Sequence, residues 1–233
     1  MTLMHAPITA SAPIEPASAA VDPERRFSVG GVRWATYVGL CDDIVRGNTR
    51  ITYDQGRMEI VVVSNRHELT KKVLARIIEA YADAAGITAE GFGNVTIRAE
   101  DLERGLEPDE CYYVANAAVM TGLPMDPNDN RPLDLSIYPP PDLAIEVDIS
   151  PPDVSKQPIY GAMGVPEIWR FDGRDVTYLT RGPGGQYAVA ERSQAFPDLP
   201  VSWVNELLQM GLMRGQSAAA AEVRRRVGGR PQP

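Results

Sequence analysis

Two stretches place carboxylates where aliphatic and aromatic side chains predominate. Glu107-Pro108-Asp109-Glu110 leads into Cys111-Tyr112-Tyr113-Val114, and Glu146 interrupts the run Leu143-Ala144-Ile145-Glu146-Val147. Both runs read as buried strands, and an ionised carboxylate is costly there unless a metal or another charged group compensates it. The two-residue alternation of a strand puts Glu146 and Asp148 on one face and Ile145, Val147 and Ile149 on the other. The acids of the two segments converge if their strands are neighbours. Converging carboxylates suit a hard divalent cation with oxygen ligands, which activates water and stabilises charge on a phosphoryl oxygen. Lys156 follows the second strand on a stem long enough to reach back to water or phosphate. Acids at strand ends are also commonly solvated or salt-bridged, so the residue types alone leave both readings open.

The elements that must position these groups are legible in outline. Trp34 to Leu40 is a short helical candidate, and Arg50 to Tyr53 with Arg57 to Val63 around Asp54-Gln55-Gly56 is a hairpin pattern. Asn65, three residues before Glu68, predicts a helix cap. Leu69, Val73, Leu74, Ile77, Ile78 and Tyr81 then follow at helical spacing until Gly86. Strands are expected at 95–98, 110–115, 142–149, 167–171 and 176–180, with a helix over about 155–163 ended by Gly164. Six prolines within 121–141 predict a surface loop. Tyr160 and Trp169 read as core aromatics.

The 233 residues suffice for one domain. Thirty-one acidic against 23 basic residues give a net charge of −8, which excludes a diffuse basic coat for nucleic acid and leaves only a local phosphate-binding patch. No apolar run is long enough for a membrane span. Cys41 and Cys111 form no C-x-x-C pair, so reduced thiols and a cytoplasmic location are expected. Residues 1–25 read as a disordered tail, 26–213 as the folded domain and 214–233 as a flexible Ala/Arg-rich tail that can form a short terminal helix but hardly a core element. Arg224-Arg225-Arg226 in that last segment read as a solvated end or a phosphate contact.

Glu107-Pro108-Asp109, Pro141-Asp142-Leu143-Ala144-Ile145-Glu146-Val147, Lys156, Tyr160 and Gly164-Val165-Pro166-Glu167-Ile168-Trp169 together resemble the Uma2 family of the PD-(D/E)XK nuclease superfamily. The likeness runs from about Arg26 to Gly211. It implies an α/β (α+β) restriction-endonuclease-like fold: a mixed β-sheet flanked by helices, with an N-terminal helix and hairpin. It further implies Asp109, Glu146 and the backbone carbonyl of Val147 as ligands of Mg²⁺ (or Mn²⁺), and hydrolysis of DNA by a metal-activated water. Asp148 stands where the superfamily's simplest pattern has lysine, so Lys156 is the lysine that matches. RNA is a further candidate substrate, and a homodimer around the substrate is compatible with such a shape. The alternative reading is a catalytically inactive nuclease-like binding module. Among second-rank residues, Asp148 is a third ligand or the partner of a cation. Glu68 is a helix acid that capping also explains, and Glu59 an acid that a half-exposed strand face explains. His67 is a phosphate contact or a surface residue.

Overall fold

The computed structural model describes residues 24–44, 47–121 and 131–229. The chain enters as β1 (Arg25–Gly30) and α1 (Trp34–Asp43), turns through the hairpin of β2 (Thr49–Asp54) and β3 (Arg57–Val62), and continues into α2 (Asn65–Ala85). Short strands β4 (Glu90–Gly91), β5 (Ile97–Ala99) and β6 (Arg104–Leu106) lead to β7 (Glu110–Tyr113). Then come α3 (Ala117–Met120), β8 (Leu133–Asp134) and β9 (Leu143–Val147). The remainder is α4 (Gln157–Met163), β10 (Glu167–Phe171), β11 (Val176–Arg181), β12 (Tyr187–Ala190), α5 (Val201–Arg214) and α6 (Gln216–Gly228).

The fold is mixed α/β, with helices flanking the strands as expected, but the strands form two sheets rather than one. Their orders are β1-β3-β2-β6-β5-β8 and β12-β11-β10-β9-β7-β4. The predicted hairpin pairs with β1 and β6, in the sheet that lacks β7 and β9. Hydrophobic pattern sets which face of a strand is buried, not which distant strand it pairs with. In the second sheet β9 lies between β7, antiparallel, and β10, parallel. All five β9 residues are buried, which accounts for its aliphatic composition.

The faces of β9 divide the core. Leu143, Ile145 and Val147 join Trp169, Phe171 and Tyr178 against Val73, Leu74, Ile77 and Ile78 of α2 and Leu207 and Leu208 of α5. Ala144 lies with Ile159, Tyr160 and Met163 around α4. Burying each large aliphatic side chain contributes about 1.5–3 kcal/mol, so α2 is held by its stripe rather than by propensity. The cap of α2 is Ser64, one residue before the expected Asn65: its Oγ accepts the His67 N–H at 3.2 Å. Leu69, counted in the apolar stripe, is instead 45% exposed.

The chain ends differ from expectation where they are described. Residues 1–23 and 230–233 lie outside the described residues, but Glu24 is buried and Arg25 opens β1. Residues 216–228, expected to be a flexible tail with at most a short helix outside the core, form α6, whose Ala219, Ala220 and Val223 are buried with α2 and α5. Small side chains let this helix approach closely, and Arg226 ties it to Glu206 of α5 while also pairing with Glu222 one turn back on its own helix. Of the proline-rich loop, 122–130 lie outside the described residues, while β8 pairs with β5 in parallel.

Candidate functional site

Pairing of β7 with β9 brings the two acids together. The Asp109 N–H donates to the Ile145 carbonyl at 3.1 Å, which sets the Asp109 side chain beside Val147, whose N–H donates to Asp109 Oδ2 at 2.8 Å. Alternation along β9 turns Glu146 away from the α2 face and toward α4. Asp109 is 1% exposed and Glu146 3%, so both acids have been removed from bulk water.

Helix α4 supplies the partners of Glu146. Lys156 occupies its N-cap, and Tyr160 lies four residues on, along the same side of the helix. The Lys156 ammonium donates to Glu146 Oε2 at 2.5 Å, and the Tyr160 hydroxyl donates to Oε1. Tyr160 is therefore both a core aromatic and a site residue. The i, i+4 spacing from Lys156 was the signal for the second role.

Asp109 has a different set of neighbours. His67, in the first turn of α2, meets Asp109 Oδ1 through Nε2 at 2.8 Å and Glu24 Oε1 through Nδ1 at 2.8 Å. It is buried, not at the surface. An imidazole facing a carboxylate at each nitrogen donates from both, as an imidazolium. The Arg50 guanidinium is pinned through its Nη atoms to the carbonyls of Gly47 and Thr49 and to Glu68. Its Nε–H is buried without a hydrogen-bond acceptor among the described residues, 3.8 Å from Asp109 Oδ1. Sequence reasoning missed Glu24 and Arg50, which are remote in the chain from the acids they serve.

Electrostatics separate the two acids. Burial pushes Asp109 up, but the hydrogen bond and charge of His67, with Lys156 and the Val147 N–H, outweigh it and hold the carboxyl down at about 2. For Glu146 burial wins: assisted by the charges of Asp109 and Asp148, it lifts the carboxyl to about 7 against the pull of Lys156. His67 is lowered by burial yet raised overall, to about 9, by Asp109 and Glu24. Lys156 is likewise raised, because Glu146, Asp109 and Asp148 outweigh the cost of burying its charge. The protein's own cations thus meet the repulsion between the acids. Among the described residues, no group of three or more His, Cys, Asp or Glu side chains could hold a metal ion.

Each of the second-rank acids is paired with donors of the protein itself. Asp148 accepts from Arg170 Nε at 2.7 Å, the cation-partner arrangement of its two expected readings. Glu68 bridges Arg50 and Lys71 at 3.2 and 2.7 Å. Glu59, expected on a half-exposed face, is 0% exposed. It accepts from Arg26 at 2.9 Å and from the N–H groups of Asp153 and Val154 at 3.2 Å each, tying β3 to the segment after β9.

Residues 34–212 match the family model Uma2, described as "Putative restriction endonuclease". The chain belongs to the Uma2 family. Among solved structures, this Uma2 chain is similar to one described as a "putative nuclease belonging to DUF820" from Anabaena variabilis ATCC 29413. The identity is 15%, the match covers 76% of this chain and 99% of that one, and the TM-score is 0.47. No curated protein matches. No helix among the described residues is long and apolar enough to cross a membrane.

Proposed function

We propose that this Uma2 chain is a metal-dependent endonuclease that hydrolyses DNA phosphodiester bonds. Asp109, Glu146 and the backbone carbonyl of Val147 would hold Mg²⁺ or Mn²⁺. The observation that carries the reading is the meeting of two buried carboxylates from adjacent strands with a lysine seated on one of them. The family's description supports nucleic acid as the substrate.

The donor set fits a hard cation. Each oxygen of Asp109 and of Glu146 accepts one hydrogen bond, which leaves lone pairs for oxygen coordination. The unpartnered Arg50 Nε–H beside Asp109 suits an acceptor oxygen of a phosphate or a water. A bound divalent cation supplies Lewis-acid activation of water and neutralises phosphoryl charge.

The chain's own residues do the rest. His67 and the Val147 N–H hold Asp109 ionised and oriented. Tyr160 fixes one oxygen of Glu146, and Lys156 keeps an ammonium at the other, where it can pass to the phosphate or to the attacking water. Burial of Asp109 and Glu146 strengthens the charge interactions they make with these partners.

The test is cleavage of plasmid, linear, single-stranded and branched DNA, with RNA controls, with and without Mn²⁺. Glu146→Ala is expected to abolish Mn²⁺-dependent cleavage while the protein stays folded. Undiminished cleavage by that variant refutes the mechanism. A second reading, an inactive binding module, draws on the internal compensation of both acids by Lys156 and His67. Calorimetry separates the two: Mn²⁺ binding that needs Asp109 and Glu146 favours the enzyme, and no binding at millimolar metal favours the module.

A further inference from the structure

We propose that Glu24 is a positioning residue for Asp109, acting through His67, so that the segment just before β1 completes the site from outside the 34–212 stretch that matches the family. The inference rests on Asp109 being a cation ligand, as proposed above.

The Glu24 side chain is 0% exposed, and each of its partners among the described residues is a donor. Its Oε1 takes the His67 Nδ1–H at 2.8 Å. Its Oε2 takes the Ser150 hydroxyl and Arg26 Nη2–H, each at 2.8 Å, and the Ser150 N–H at 3.3 Å. Arg26 also donates to Glu59 at 2.9 Å, to the Ser150 hydroxyl at 2.9 Å and to the Ser150 carbonyl at 3.0 Å. Residue 24 is therefore locked to β3 and to the turn that leaves β9, close to the elements that carry Asp109 and Glu146.

The consequence for Asp109 is geometric. An imidazole bonded at one nitrogen can swing or flip about its ring axis. One bonded at both cannot do so without breaking two buried, charge-assisted hydrogen bonds. With Glu24 in place the Nε2–H stays aimed at Asp109 Oδ1, and with the Val147 N–H on Oδ2 the plane of the carboxylate is set. Both oxygens of Asp109 are then held at fixed positions. Without Glu24, the ring loses its fixed end, and the His67 hydrogen bond that orients Asp109 Oδ1 loosens while the Val147 N–H stays on Oδ2.

The experiment uses the full chain as wild type, Glu24→Ala and Glu24→Gln, with two readouts. Side-chain nitrogen NMR of the metal-free protein should show a hydrogen-bonded His67 Nδ1–H that is lost in Glu24→Ala and retained in Glu24→Gln, whose amide oxygen still accepts. Calorimetric titration with Mn²⁺ should show affinity falling about 10- to 100-fold in Glu24→Ala and returning to within a few-fold of wild type in Glu24→Gln. Ser150→Ala, which loosens Glu24 without removing it, should give a smaller loss in the same direction. Wild-type Mn²⁺ affinity in folded Glu24→Ala, or in Ser150→Ala should Glu24→Ala not fold, overturns the inference and leaves Glu24 a structural residue. So does a folded Glu24→Gln that binds as poorly as Glu24→Ala. Wild-type protein that binds no Mn²⁺, or binding untouched by Asp109→Asn, overturns the metal-site reading itself and this inference with it.

Discussion

Gly161→Ala tests whether the placement of α4 governs the site. Gly161 directly follows Tyr160, and its carbonyl accepts the Arg181 Nε–H at 2.8 Å, which seats α4 on the turn between β11 and β12. A Cβ at this position would lie 2.0 Å from the Gly185 carbonyl oxygen, where ordinary contact begins at 3.4 Å. The two backbones must therefore separate by roughly 3.4 − 2.0 = 1.4 Å. Overpacking of this kind costs about 1–3 kcal/mol. The atom met is a backbone carbonyl rather than the end of a flexible side chain, which puts the cost at about 2–3 kcal/mol. Alanine's better helix propensity returns about 1 kcal/mol, so the clash should win by about 1–2 kcal/mol. In a chain of this length that corresponds to a fall in melting temperature of roughly 2–8 °C. The helix that moves carries Lys156 and Tyr160, and a displacement on the order of 1 Å at a reacting centre can cost about 10²-fold in rate. Urea denaturation followed by circular dichroism, with Mn²⁺-dependent plasmid cleavage of the folded variant, measures both effects. A variant as stable and as active as wild type would refute the claim that α4 holds these side chains in place.

Asp148→Asn should cleave within a few-fold of wild type, because that carboxylate is committed to Arg170. With the Arg170 side chain 37% exposed, the pair should also contribute less than about 1 kcal/mol to stability. A loss of activity comparable to that of Glu146→Ala would make Asp148 a ligand instead. Glu167 accepts from the Trp169 indole N–H at 2.7 Å, the Ser193 hydroxyl at 3.1 Å and the N–H groups of Gln194 and Ala195 at 2.8 Å. Burial nevertheless raises its pKa against those four donors. Glu167→Gln turns an amide NH₂ toward donors and should cost about 1–3 kcal/mol. A carboxyl whose folded pKa lies above its unfolded value lends stability in acid and loses it as the pH rises through the folded pKa. The wild-type advantage in urea midpoint should therefore widen from about pH 7 toward about pH 4, and an advantage that instead grows with pH would contradict this account.

Local signals carried the elements that make up the site. The stripe from Val73 to Tyr81 marked α2, Gly86 and Gly164 marked helix ends, and both end in the left-handed conformation, at φ of 67° and 83°. The run Leu143 to Val147 marked a buried strand, and alternation separated Glu146 from Ile145 and Val147. These features depend on neighbours within a few residues, so a linear pattern encodes them. Glu24 and Glu59 escaped for the opposite reason. Nothing near Glu24 announces a partner 43 residues away in His67, and Glu59 looks half-exposed until Arg26 and the backbone of Asp153 and Val154 close over it. The α6 segment was misjudged because its alanines are too small to advertise a buried face, although they let the helix lie close against α2.

Read alone, the chain determined the identities and order of the chemical groups: an acid entering one strand, an acid within another, and a lysine and a tyrosine one helical turn apart on the helix that follows. Tertiary structure decided how those charges are balanced. Pairing of β7 with β9 placed Asp109 on the Val147 N–H, and packing of α2 and the Glu24 segment placed His67 against its other oxygen. The physical reason is that a buried charge takes its protonation state and its direction from whatever lies within a few ångströms in space, and most of those neighbours come from distant parts of the chain.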